Sequence, residues 1–327
     1  MKHEPIDRAV YDADRLIASH PPRWHDRNKE RVFEIARSSG FPFEGRIVYS
    51  RWREEQLPET VPPARRIEVR RGVFEYAPPT EPSTVAWHMN FADPHLFTAY
   101  GSGLMAQDEL QVAEHPILGS LLEALRAEGL RPVTVDDRGR PTPVTVAGIQ
   151  RRCAIDTRPN TAAGRPGGLY GNAFARAPAE EVKAATRPLC PPTISNILAI
   201  AAPAYGYGTY TREQIDYVLA AAHTGFLAAQ RESATIQPTC ARTEIHTGFW
   251  GCGAFGGNRT LMTILQALSG ALAGVELVFW SFDPAGIGVV EKALRQYERL
   301  APEGARVQDV IARLLDVGFQ WGESDGN

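Results

Sequence analysis

Cysteine is scarce. Only Cys153, Cys190, Cys240 and Cys252 occur in 327 residues, scattered and without a CxxC pair. Disulfide and zinc frameworks are both disfavoured, and a reducing cytoplasm is the simplest setting. No window reaches the ~18 to 20 apolar residues that span a bilayer. The first residues, MKHEPIDRAVYDADRL, mix charges and lack the apolar stretch of a signal peptide. There is no long basic run and the formal net charge is only -3, so a nucleic-acid backbone is not the expected partner. A small polyanion stays open, because backbone amides bind one without net positive charge. With 43% hydrophobic and 22% charged residues, the chain can build a sizeable core. Its length suits one large α/β domain with extensions, or two modest domains.

Residues 1 to about 65 are rich in Arg, Glu, Pro and Trp, as in PPRWHDRNKERVFEIARSSGFPFEG. Proline-bounded joints there fit one or two short helices better than strands, so 1–65 is expected to be a helical accessory segment packed on the main domain. Over 66–327 the texture alternates. IEVRRGVFEYAP, TVAWHMNFA (Thr84–Ala92), NILAIAAPAY (Asn196–Tyr205), ARTEIHT and VELVFWSF read as strands. Between them a helix opens at Gln107 and is broken by Pro116, and ILGSLLEALRAEGL forms a separate helix ending near Gly129. REQIDYVLAAAHTGFLAAQ, RTLMTILQALSGALAG and PAGIGVVEKALRQYERL have helical spacing. Such alternation implies a largely parallel sheet covered on both faces, with ligands bound beyond the strand carboxyl ends.

The sharpest local feature is HTGFWGCGAFGGNRTLMTILQAL, with glycines at 248, 251, 253, 256 and 257 between a strand and a helix. Glycine there lets a ligand approach main-chain amides, and the helix adds unpaired N–H groups and its dipole. The tract lacks the GK[ST] of a Walker A loop, and we read it as a diphosphate cradle and not as a GxGxxG dinucleotide fingerprint. The plainer reading is a tight turn packed under Phe249, Trp250 and Phe255. Cys252 has no evident base nearby and is expected to be a small buried filler. The second feature is Gln107-Asp108-Glu109 after a Gly-Ser-Gly turn. Acidic residues in a first helical turn commonly just complement the dipole. A desolvated carboxylate there is also a proton donor.

TGFWGCGAFGGN, the Leu-rich helix after it and VELVFWSFDP together resemble the poly(ADP-ribose) glycohydrolase branch of the macrodomain fold. The family's TGNWGCGAFGGD-like loop binds the ADP-ribose diphosphate, and a later TFGD-like segment supplies a phenylalanine that stacks on adenine. The resemblance implies diphosphate binding by Gly251, Cys252, Gly253, Ala254, Phe255 and Gly256, with Phe255 near the reacting ribose and Phe282 on adenine. FADPHLFTAYGSG, AQDEL and EHPIL are similar to the family's FANxxxGGG, QEE and PEL segments. That implies Glu109 and Asp108 as the catalytic pair, with Glu109 at the catalytic position and Asp108 holding ribose hydroxyls, Gln107 in contact with substrate, and Asp93 where the family holds substrate with an Asn. GLYGNAFARA resembles a loop carrying a site tyrosine, here Tyr170. Two departures stand out. Phe97-Thr98-Ala99 replaces the family's GGG, and Asp108 is shorter than the family's Glu. Both point away from poly(ADP-ribose) chains toward a mono-ADP-ribosyl group.

The implied fold is a three-layer α/β/α macrodomain with a mixed, largely parallel sheet. The implied reaction is hydrolysis of a glycosidic bond to ADP-ribose, with Glu109 as acid and then base and without metal or cofactor. The expected partner is ADP-ribose or an ADP-ribosylated protein or small molecule. The alternatives are a non-catalytic ADP-ribose reader and an enzyme acting on an NAD-derived metabolite. A dinucleotide-dependent dehydrogenase is the class-level rival, set aside for want of a strand-linked GxGxxG fingerprint. Tyr205 and Tyr207 follow a strand end, a common site position, though turn packing explains them equally. His88 is expected in the core.

Overall fold

The computed structural model describes residues 4–326. Its strands are β1 (Asp7–Asp12), β2 (Arg46–Arg51), β3 (Ile67–Arg71), β4 (Thr84–Ala92), β5 (Val144–Ile155), β6 (Thr186–Ala201), β7 (Arg242–Thr247) and β8 (Glu276–Ser281). Its helices are α1 (Ala13–Ser19), α2 (Arg27–Arg37), α3 (Gln107–Glu114), α4 (Ile117–Ala127), α5 (Ala173–Arg176), α6 (Ala179–Ala185), α7 (Arg212–Ile236), α8 (Arg259–Ala273), α9 (Pro284–Leu300) and α10 (Val307–Val317). The strands form one sheet in the order β1-β2-β5-β6-β4-β7-β8-β3. Every pair from β6 to β3 is parallel, and β1-β2, β2-β5 and β5-β6 are antiparallel. This is the mixed α/β sheet of a macrodomain-like fold.

Side-chain alternation sorts the core into layers. Leu198 and Ile200 of β6 enter one apolar cluster with α7, α8 and α10, while Ile197 and Ala199 enter another with α1 and α4. Successive strand residues face opposite sides, so helices must cover both faces. The central parallel strand β4 is accordingly covered on both faces: only Phe91 in it is not buried. No helix among the described residues is long and apolar enough to cross a membrane.

The N-terminal segment differs from expectation. The two helices are there, but so are β1 and β2, which extend the sheet through β5. β1 alternates half-buried and exposed positions, as an edge strand does, and its short charged DRAVYD text hides the period. Both strands pair only with chain far away in sequence, where local propensity gives no signal.

Candidate functional site

Adjacent parallel strands deliver their loops to one edge of the sheet. β4 lies between β6 and β7, and β7 pairs with β8. Their carboxyl ends lead respectively to Asp93, to the loop holding Tyr205, to the glycine tract and to Phe282. The tract also touches β4, since a Cβ on Gly248 would lie 3.5 Å from the Phe91 ring.

Helix α3 returns onto the same edge. The Gln107 carboxamide oxygen accepts the Phe91 N–H at 2.8 Å and its nitrogen donates to the Met89 carbonyl at 3.0 Å. Both ends of Gln107 are thus engaged in seating α3 on β4. Asp108 and Glu109 follow, 7% and 5% exposed. Asn90 Nδ2 donates to Asp108 at 2.9 Å, and the Ala106 N–H donates to Glu109 Oε2 at 3.1 Å. Burial raises the pKa of both carboxyls. For Asp108 the Glu109 charge adds to burial and the Asn90 bond opposes it. For Glu109 the opposing influences are Lys29 and backbone hydrogen bonds.

Lys29, on α2, is the residue that sequence reasoning missed. It is 1% exposed, and its ammonium donates to the Tyr100 carbonyl at 3.0 Å. Burial brings its pKa down to about 8, against the pull of the Glu109, Asp108 and Asp26 charges. A fully buried cation beside two buried acids is a strong signal in three dimensions. Along the chain, a separation of 78 positions between Lys29 and Gln107 conceals it.

In the glycine tract, Gly251 takes φ 73° and Gly256 takes φ 70°. A Cβ on Gly251 would come within 2.6 Å of Ala202. The tract closes on itself: Gly257 N donates to Gly251 O at 2.8 Å, Gly256 N to Gly253 O at 3.0 Å and Cys252 N to Phe249 O at 3.0 Å. The N–H groups of Cys252 and Gly256 are therefore engaged within the tract itself. Those of Gly251, Gly253, Ala254 and Phe255 donate to no acceptor among the described residues. Burial pushes the Cys252 thiol up to about 12, as suits a filler and not a nucleophile.

The remaining residues sit around this centre. Tyr170 is brought to α3 by reciprocal bonds between Gly171 and Met105, at 3.0 and 3.2 Å. Its phenol takes the Gln107 N–H and feels the charges of Asp325 and Glu109. Asp93 is half-exposed and accepts from the His95 N–H at 2.9 Å. Phe282 is 66% exposed, with the Arg259 guanidinium 5.7 Å from its ring centre. Phe255 meets Tyr205 edge-on at 5.7 Å, and Tyr207 is almost fully exposed. His88 is buried in β4, stacked on His246 at 4.3 Å, with neither ring nitrogen partnered among the described residues. A concavity of about 400 Å³ elsewhere, lined by His25, Asp26, Asn28 and Arg31, contains none of the expected site residues.

One expectation needs correction on its own terms. Gly251-Cys252-Gly253-Ala254-Phe255-Gly256 does have GxGxxG spacing and does follow a strand. Topology separates it from the dinucleotide fingerprint. There the third glycine packs within the helix and the ribose acid closes the next strand. Here α8 begins only at Arg259, and the acid twenty residues on, Glu276, opens β8 instead of ending it.

Residues 170–287 match the family model described as poly(ADP-ribose) glycohydrolase (PARG), macro domain fold. That stretch holds Tyr170, the glycine tract and Phe282, and leaves Asp108 and Glu109 outside. No curated protein matches the chain. Among solved structures, PARG of Thermomonospora curvata bound to the inhibitor ADP-HPD is 16% identical, over 87% of this chain and 84% of that one, with TM-score 0.45. PARG of Deinococcus radiodurans in complex with ADP-ribose is 12% identical, over 88% and 94% of the two chains, with TM-score 0.41. Residues 170–287, a little over a third of the chain, are thus similar to the PARG family of the macro domain fold.

Proposed function

We propose that the protein is an ADP-ribosyl glycohydrolase. One observation carries this reading. The buried Asp108–Glu109 pair follows β4, and the tract whose amides are unpaired among the described residues follows β7, so two adjacent parallel strands carry both toward the same edge. A diphosphate on the amides of Gly251, Gly253, Ala254 and Phe255 would extend a ribose toward α3, with adenine against the exposed face of Phe282. Glu109 has the environment of a general acid: desolvated, with raised proton affinity, and fixed by the Ala106 N–H. It protonates the leaving atom at the anomeric carbon, and the same carboxylate then takes a proton from the attacking water. Asp108, held by Asn90, positions the sugar hydroxyls. Tyr170 and Asp93 border the sugar, and Gln107 holds α3 in place.

The substrate class we favour is a mono-ADP-ribosyl group on a protein or small molecule. Phe97 supports it. This residue stands where the family has its first glycine run, takes a left-handed φ of 53°, and is completely buried. Its side chain anchors the loop in the core, so that loop lacks the glycine freedom that would wrap a second phosphate.

The test is calorimetric titration with ADP-ribose, followed by release assays on mono- and poly(ADP-ribosyl)ated substrates with wild type and Glu109→Gln. We expect Glu109→Gln to bind ADP-ribose within a few-fold of wild type and to release it about 10² to 10⁴ times more slowly. Binding by wild type without release from any substrate would make the protein a reader. No binding at all would remove the site.

A further inference from the structure

We propose that the C-terminal segment Gln320–Gly326 is a built-in competitor for the diphosphate cradle, with the Asp325 carboxylate standing where a ligand phosphate would go. This rests on the glycine tract being the diphosphate site.

The segment is anchored before it reaches the tract. Trp321 stacks on Tyr210 with ring centres 4.3 Å apart and planes 4° from parallel. Its N–H donates to the Gly208 carbonyl at 2.8 Å and its indole nitrogen to Gln214 at 3.1 Å. Asn258, the N-cap of α8, donates to the Gln320 carbonyl at 2.8 Å. The chain then crosses the tract. Gly322 N donates to Gly256 O at 2.8 Å and Asp325 N to Gly253 O at 3.4 Å, while Asn172 reaches the Gly326 carbonyl at 3.4 Å. The crossing therefore runs from the glycine tract to the Tyr170 loop, over the space between the amides and Glu109.

Side chains complete the picture. Asp325 Oδ2 lies 3.0 Å from where a Cβ on Gly253 would stand, so a carboxylate rests against the stretch whose amides donate to no acceptor among the described residues. The Tyr170 phenol feels the Asp325 charge more strongly than that of Glu109. Carboxylate and diphosphate are both anions and acceptors, and one small concavity of backbone donors does not hold both. The tail must lift for a ligand to enter. The Trp321 anchor lies outside the crossing, so residues 322–326 can lift from the tract without unpacking α10. Occupancy of the cradle is then an intramolecular competition, strengthened by the high effective concentration of a tethered group.

Dissociation constants for ADP-ribose and for inorganic pyrophosphate test this in wild type, Asp325→Asn and a chain ending at Gly322. The truncation keeps the Trp321 anchor, and the asparagine keeps the shape while removing the charge. We expect both variants to bind both ligands about tenfold more tightly than wild type. Equal binding by all three forms overturns the competition and leaves the site intact. Weaker binding by the variants makes the tail a wall of the site and overturns it too. If no form binds either ligand, the cradle itself is wrong and the proposal goes with it.

Discussion

A buried ammonium is stable only in company, and Lys29 keeps company with Glu109, Asp108 and Asp26. Glu109 also feels Asp93 from the end of β4. Burial raises the Glu109 pKa and Lys29 opposes the rise. A general acid works only while protonated, so activity should fall as pH rises through the Glu109 pKa. Removing the ammonium leaves burial opposed only by backbone hydrogen bonds and raises that pKa further. We therefore expect Lys29→Met to move the alkaline limb of the kcat profile to higher pH. A merely structural loss would lower the profile without moving it. Stability has its own sign. A carboxyl whose folded pKa is raised contributes most below its unfolded value and loses that contribution as pH rises through the folded one. Without Lys29 the loss is larger, so the variant's deficit, about 3 kcal/mol at its greatest, should widen from acid to alkaline pH in denaturant titrations.

At the scale of elements, the glycine tract shows why geometry and not sequence spacing decides. Gly251 and Gly253 look alike in the text GCGAFG. Gly251 takes φ 73° with Ala202 2.6 Å from a would-be Cβ, whereas Gly253 faces only the movable Asp325 side chain. Gly251→Ala should cost about 2 kcal/mol of stability and more than tenfold in ADP-ribose affinity, read by urea unfolding and calorimetry. An unchanged affinity would mean that the cradle does not depend on this backbone. Much here was legible. β4 spans Thr84–Ala92, α3 opens at Gln107 and stops before Pro116, and Gly129 takes φ 72° at the end of α4, each as its local text predicts. Those signals are apolar runs and chain breakers within a few residues. What the text hides is pairing at a distance. The engagement of Gln107 with β4, the internal bonds of Cys252 and Gly256, and Lys29 under α3 all come from tertiary contact.

Over the whole molecule, the question is whether the division expected near residue 65 separates anything. β2 pairs with β5 from Val48↔Ala147 to Arg51↔Val144, and β1 continues the sheet beyond it. Ile47, Tyr49, Ala13 and Leu16 sit in the same apolar cluster as Leu118, Leu121 and Val146. Val32 and Ala36 join Met105 and Phe174 in another. Arg8 on β1 meets the buried Glu232 of α7 at 2.6 Å. Burying a large apolar side chain contributes about 1.5–3 kcal/mol, so Ile47, Tyr49, Leu16 and Val32 alone weigh as much as the net stability of a typical domain. Cutting them away would also expose the β5 edge, strand Glu232 and remove the counter-charge of Glu109 in one step. We expect residues 66–327 expressed alone to lack a cooperative thermal transition and to associate through that edge, while the full chain unfolds in a single transition. If the fragment melts cooperatively within a few degrees of the full chain and binds ADP-ribose equally well, the first 65 residues are an accessory layer after all. If it does not, the sheet and the acid site are both completed by the segment that looked most like an appendage.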